Sequence, residues 1–443
     1  MDSIPGVDLD QQGREVSVRR GGWVFLLMFV IAGRAAAGEL TALEQLGKRL
    51  FFDANLSSPA GQSCASCHSP ETGFTGPVSA TNQKTAVYQG AAPSRFGNRK
   101  PPSAAYASFS PKLGYEAADE TYVGGQFWDG RALNLVEQAK GPFLNPLEMN
   151  NADAAEVVRK VQAADYWPLF VQNFEAELKT ADMDAAFEMI ARAIAAYEAS
   201  SEVNSFSSKY DAYLAGKAEL TVQEKRGLDL YVGKANCAAC HPNDRGADGS
   251  PPLFTDFTYD NVGAPANPRN PFYQQTASVN PEGAKYRDLG IGGVLKQPDH
   301  YGKFKVPTLR NIDKRPSPDF VKSYLHNGTF KNLKEVVHFY NSRDQLPSEF
   351  ADPDVLDNVN REELGKLGLT PAEEDDVVVF LTTLSDGYWN PASAAPPGPV
   401  AGPSPSGNPL VGDRFYGAGE VARVRRFHPR PPPVASEDRP PVR

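Results

Sequence analysis

The sequence predicts a mainly α-helical fold of two similar domains with long loops, and three observations predict it. A five-residue pattern occurs once in each half of the 443-residue chain, as Cys64-Ala65-Ser66-Cys67-His68 and Cys237-Ala238-Ala239-Cys240-His241, and uses all four cysteines. Helix signals recur ahead of both copies, whereas strand signals are weak. The 38 glycines and 38 prolines signal much loop, with 72–127 and 242–306 reading as long Gly/Pro-rich connections.

C-x-x-C-H is the attachment sequence of a c-type haem. Two cysteines so spaced reach the two vinyl groups of one porphyrin and form thioethers. The histidine then lies under the ring as an iron ligand. A redox dithiol or half of a zinc site also contains C-x-x-C. Here no cysteine pair remains to complete a zinc site, and a histidine follows directly both times. The expectation is therefore two covalently bound haem c groups, one on Cys64, Cys67 and His68 and one on Cys237, Cys240 and His241. Helical, loop-rich and haem-centred, the chain reads as two cytochrome c-like domains, 38–218 and 219–390. Loops of this length inside a compact protein are functional or wrapped round a cofactor.

Residues 1–37 read as an export signal preceded by an N-terminal extension, 1–13. Arg14, Arg19 and Arg20 precede an apolar run from Trp23 to Ala32, and Ala35-Ala36-Ala37 offers a cleavage site before Gly38. The run is short for a membrane span; an uncleaved anchor is the alternative, since Arg34 interrupts the approach to the alanines. Thioether attachment of haem is normally done outside the cytoplasm, so the periplasm is the expected location. Thr41-x-x-Glu44 is a capping box ahead of Leu43, Leu46 and Leu50, and Thr221-x-x-Glu224 repeats it ahead of the second haem motif. Phe187, Ile190, Ile194 and Tyr197 mark one face of a long helix. Leu333, Val336, Val337 and Tyr340 share another helical face, with His338 pointing elsewhere. Thr370-Pro371-Ala372-Glu373 opens a last helix through Val377, Phe380, Leu381 and Leu384. From Pro391 the composition turns to Pro/Ala/Gly/Ser and then Arg/Pro, so 391–443 reads as a disordered tail. A formal charge of -9 with no basic stripe argues against nucleic acid as a partner.

Two haems alone pass electrons; catalysis needs an iron with an open position and acid–base groups beside it. The relevant stretch is Phe127-Trp128-Asp129-Gly130-Arg131-Ala132, Gln138-Ala139-Lys140-Gly141-Pro142 and Asn145-Pro146-Leu147-Glu148-Met149. Here the chain resembles the bacterial di-haem cytochrome c peroxidases, a family that includes the MauG-type enzymes. Leu46–Asp53, Phe304–Asn311 and Leu325-His326-Asn327-Gly328 agree, and the resemblance covers roughly 40–390. It implies that Trp128 lies between the haems and relays electrons. It also implies that Gln138 and Glu148 line the distal pocket of the first haem. A buried carboxylate there takes a proton from bound hydrogen peroxide and returns it to the leaving oxygen, while Gln138 orients the peroxide. Read without the resemblance, Glu148 is a surface carboxylate and Trp128 plain core.

The chain departs from the common pattern in several places. Many family members park a histidine on the first iron, but none of the six histidines lies between His68 and His241. MauG-type enzymes have a proline there instead, and Pro142 matches it, so an open first haem is expected. The usual sixth ligand of the second haem is methionine, yet none of the five methionines lies beyond Met189. Tyr340 stands at the matching place, as a tyrosine does in MauG-type enzymes; the alternative is a core tyrosine with a satisfied hydroxyl. A phenolate would lower the second haem's potential and favour its oxidised states. Arg310 reads as a haem propionate partner, and His300 and His326 as loop or haem-edge hydrogen bonders. Family members often hold Ca2+ through an asparagine, but that position is Lys100, with Asn98 close by, and a lysine ligates calcium poorly. A tryptophan needed for the particular MauG reaction is here Ala235, so that reaction does not carry over.

The expected activity is a periplasmic di-haem peroxidase that reduces hydrogen peroxide with electrons from a small c-type cytochrome or cupredoxin. The alternatives are a MauG-like oxidase acting on residues of a partner protein, and a non-catalytic electron-transfer cytochrome. A homodimer is a further expectation.

Overall fold

The computed structural model describes residues 39–246 and 249–389; the expected export signal (1–37) and tail (391–443) lie outside them. In chain order the helices are α1 (Ala42–Phe52), α2 (Ser79–Lys84), α3 (Leu135–Leu144), α4 (Ala154–Gln162), α5 (Trp167–Leu178), α6 (Met183–Glu198), α7 (Lys209–Leu214), α8 (Val222–Val232), α9 (Gly290–Leu295), α10 (Leu333–Ser342) and α11 (Pro371–Thr382). None of the described helices is long and apolar enough to cross a membrane. Two short antiparallel ladders interrupt the long loops. β1 (Gly114–Glu116) pairs with β2 (Thr121–Val123), and β3 (Tyr259–Asp260) pairs with β4 (Phe304–Lys305). Ladders of two or three residue pairs are too short to leave a readable alternation in the sequence.

The two halves are assembled alike. Each opens with a capped helix whose Thr/Glu box makes both reciprocal bonds, Thr41 with Glu44 on α1 and Thr221 with Glu224 on α8. Six residues after each capping threonine stands a glycine, Gly47 or Gly227. A Cβ on Gly47 would run into the carbonyl of Ala193 on α6, and one on Gly227 into the carbonyl of Asp376 on α11. Helical glycine is unfavourable by roughly 0.5–1 kcal/mol relative to alanine; here it lets two helix backbones touch. A second helix in each half, α3 or α10, begins at an asparagine cap: the side chain of Asn134 accepts from the Glu137 amide, and that of Asn332 from the Glu335 amide.

Each half also has its own core. Leu46, Leu50 and Phe51 of α1 pack with Phe143 of α3 and Ile190, Ile194 and Tyr197 of α6. Tyr231 of α8 packs with Val337 and Phe339 of α10 and Val377, Phe380 and Leu381 of α11, joined by Leu384 just past that helix. Burying such a side chain stabilises by about 1.5–3 kcal/mol, so these helix triplets form the frame that holds the loops. Among the described residues both cores belong to one compact unit.

Candidate active site

Both Cys-x-x-Cys-His motifs begin as one 3-10 turn, Cys64–Ser66 and Cys237–Ala239. His68 Nδ1 lies 3.1 Å from the carbonyl oxygen of Phe74, and His241 Nδ1 lies 2.9 Å from that of Phe254. A carbonyl only accepts, so Nδ1 carries the proton and Nε2 keeps its lone pair for a metal. The two phenylalanines are held in left-handed backbone, at φ 56° and 54°. That bulky residues adopt this conformation twice at the same task marks it as a required turn. Burial pushes the Cys67 and Cys237 thiols up to about 12 and Cys64 further still, which disfavours the free thiolate. Among the described residues the one grouping with metal-ligand spacing is Cys240, Asp260 and Glu363, which lacks the four ligands of structural zinc.

The first motif lies in a cleft that gathers every residue expected around it. Cys64, Cys67, His68, Trp128, Gln138, Pro142 and Glu148 all line it. Two further lining residues carry buried oxygens with no hydrogen-bond partner, Gln62 Oε1 and Glu198 Oε2. Unsatisfied polar atoms in a thiol- and histidine-lined cleft suit a cofactor that brings polar groups of its own. A haem fits this donor set: two thiols for its vinyls and one imidazole Nε2 for its iron.

Gln138 and Pro142 are one turn apart on α3 and both face the cleft. Pro142 has no N–H to return to the carbonyl of Gln138, which loosens the helix at this turn. The chain leaves α3 at Asn145, whose side-chain amide donates to Glu148 Oε1 at 3.1 Å while the Glu148 amide donates to the Asn145 carbonyl at 3.0 Å. This turn fixes the carboxyl at the cleft wall. Burial raises its pKa, against the opposing pull of Arg131 and the Asn145 amide.

Trp128 is tied to both halves. Its indole Nε1–H donates to the carbonyl of Lys100 at 2.9 Å, and its own carbonyl accepts from the Lys305 amide at 2.8 Å. The Lys100 ammonium lies 5.8 Å from the indole centroid and donates to Thr75 Oγ1 and the Pro101 carbonyl, with no carboxylate among its hydrogen-bond partners. Asn98 is engaged elsewhere, donating to Tyr286 and Asp288.

At the second motif, Tyr340 projects from α10 and packs beside Cys237 against the second core. Its hydroxyl has no hydrogen-bond partner among the described residues, and burial holds its pKa well above the ordinary phenol value, with Cys240, Asp260 and Cys237 adding to the rise. His338 faces away, bonded to Glu374 and Glu349.

Arg310 is held by protein groups. Its guanidinium is almost fully buried and grips Asp211 through two bonds, at 2.9 and 2.8 Å, with Nε donating to the Pro252 carbonyl. It also lies over the Tyr106 and Phe206 rings. Its charge is met by a protein carboxylate, so a propionate is not needed to explain its burial. His326 is buried and stacked on Phe304 at 3.6 Å, with Trp128 edge-on at 6.5 Å. His300 ends the short 3-10 turn Pro298–His300, edge-on to Tyr122.

Sequence reasoning missed Glu198. Its register continues the apolar face of Ile190 and Ile194 at four-residue steps, and a carboxyl on such a face is the signal that was there to read. Burial raises its pKa to about 8.

A family model described as di-haem cytochrome c peroxidase matches residues 41–219. The methylamine utilization protein MauG of Paracoccus denitrificans is 34% identical over 366 residues, covering 79% of this chain and 90% of that protein. The cytochrome c551 peroxidase of Pseudomonas aeruginosa is 32% identical over 318 residues, covering 71% and 75%. Among solved structures, the diheme peroxidase BthA of Burkholderia thailandensis superposes with a TM-score of 0.67 at 34% identity, covering 80% of this chain and 88% of that one.

Proposed function

The chain belongs to the di-haem cytochrome c peroxidase family, which includes the MauG proteins, and from that membership we propose that it reduces hydrogen peroxide in the periplasm with electrons from a small c-type cytochrome or cupredoxin. The observation that carries this reading is Glu148, a carboxyl of raised pKa set in the wall of the cleft that also holds His68. When bound there, haem supplies the iron that takes up peroxide and the two-electron chemistry that cleaves it. His68 offers Nε2 to that iron, its ring fixed by the Phe74 carbonyl. Glu148 takes the peroxide proton and hands it to the departing oxygen. Gln138 would orient the peroxide, and Pro142 brings no donor atom to the cleft. Trp128, bonded to both halves, would carry electrons from the second site, where His241 and Tyr340 would hold the other haem.

Glu148→Gln removes the proton carrier with little change of shape. Peroxide-dependent oxidation of a reduced small cytochrome c should fall by about 10²–10⁴-fold. An unchanged rate would leave only an electron-transfer cytochrome.

One observation favours a second reading. The unpartnered Tyr340 hydroxyl suits an anionic ligand that stabilises oxidised iron, as expected of a MauG-like oxidase acting on residues of a partner protein. Rapid mixing with peroxide separates the two. A long-lived, two-electron-oxidised protein with slow turnover of the donor supports the oxidase, and rapid turnover supports the peroxidase.

A further inference from the structure

A second hollow of ≈ 500 Å³ adjoins the haem cleft and opens to solvent along the Glu137–Gly141–Asn145 face of α3. Phe127, Arg131, Pro142 and Glu148 line both spaces, so Glu148 stands at the boundary between them. Phe127 is held in left-handed backbone at φ 65°, with the Arg131 guanidinium 3.6 Å above its ring.

Two features define what this hollow suits. Its walls are partly apolar, with Phe127, Ala132, Leu133 and Pro142, and its size lies within the roughly 300–1,000 Å³ of small-molecule pockets. Hydrogen peroxide, little larger than water, needs no such room. Its charges are already met, Arg131 by Asp129 at 2.9 Å and Glu137 by Lys140 at 2.8 Å. Neither an anion nor a cation finds an uncompensated partner there. The occupant that matches is neutral, with an apolar body and one small polar head that reaches past Phe127 to Glu148.

We propose that this hollow is a substrate antechamber and that the enzyme also reduces organic hydroperoxides; the inference rests on the peroxidase reading above. The organic group occupies the antechamber while the –OOH head enters the haem cleft. The O–O bond breaks and the oxygen on carbon takes its proton from Glu148 and leaves as an alcohol. The other oxygen leaves as water. Two electrons from two molecules of the one-electron donor protein, and two protons from solvent, complete the balance.

The test compares cumene hydroperoxide with hydrogen peroxide on the haem-loaded enzyme, followed by oxidation of a reduced small cytochrome c. Leu133→Trp and Ala132→Leu each narrow the antechamber without touching Glu148, Gln138 or Pro142. Leu133 is half exposed and tolerates the change even if Ala132 does not. The wild type should turn over both oxidants. The variants should lose about tenfold or more in kcat/KM for cumene hydroperoxide and keep their hydrogen peroxide rate. Turnover of hydrogen peroxide with none of cumene hydroperoxide overturns the antechamber alone, as does an equal effect, or no effect, of both variants on the two oxidants. Failure with both oxidants in the wild type overturns the parent reading and this inference with it.

Discussion

Pro142 and Tyr340 occupy the same position in the two halves, each eight residues beyond the asparagine that caps its helix, Asn134 or Asn332. Both helices run for ten residues, and both carry a glutamate at the third position, Glu137 or Glu335. The same scaffold thus presents a side chain with no donor atom to the first site and a phenol to the second. One duplicated helix geometry thus carries a residue without a donor atom in one half and a hydroxyl-bearing one in the other.

The first prediction concerns that phenol. Tyr340→Met replaces a hard oxygen donor by a thioether, which favours reduced iron. The second haem's midpoint potential should rise, by a sizeable part of the roughly 0.8 V range that axial ligands command. Tyr340→Phe should turn its low-spin signal high-spin. Redox titration and electron paramagnetic resonance of the oxidised protein check both. Identical spectra in wild type and Tyr340→Phe would return Tyr340 to the role of a packing residue.

Lys100 gives the second prediction. A unit charge 5.8 Å from the Trp128 ring opposes electron removal from the indole by about 3 kcal/mol at an effective dielectric of about 20. Burial lowers its pKa to about 8, so the charge is present below that pH and fades above it. Electron exchange between the haems should therefore change with pH around 8, and Lys100→Met should remove that dependence. The ammonium already donates to Thr75 and Pro101, so a strong calcium chelator should leave activity intact. Loss on chelation, restored by calcium, would contradict this.

The helices and both haem motifs were legible because each rests on local rules: reciprocal capping boxes, apolar faces at helical spacing, and a five-residue motif with its histidine attached. The Arg310–Asp211 pair was not legible, because the two residues are 99 apart in sequence and no local pattern couples them. Glu198 was missed because a carboxylate at the last position of a helix is ordinarily solvated, and only the packing around α6 buries this one. The equivalence of Pro142 and Tyr340 also stayed hidden. It emerges only when their caps are aligned, since the intervals from each haem motif to its capping asparagine differ.

Glu198 carries the last prediction. Its side chain is 6% exposed, lines the first cleft, and leaves Oε2 without a partner. Burial raises its pKa from an ordinary carboxylate value of 4.5 to about 8. The folded protein therefore binds this proton more tightly than the unfolded chain does. The resulting stability is fully present below pH about 4.5, declines as pH rises, and is gone above about 8. Glu198→Gln keeps the shape and removes the titration. The variant's melting temperature should match the wild type near pH 4.5 and exceed it increasingly toward pH 8. A constant difference across that range would mean that Glu198 is neutralised by something other than its own proton. Peroxide turnover read on the same samples separates a structural role from a chemical one. If Glu198 only packs, kcat is unmoved while the melting curve shifts; if it also carries protons, the alkaline limb of the pH–rate profile moves in Glu198→Gln.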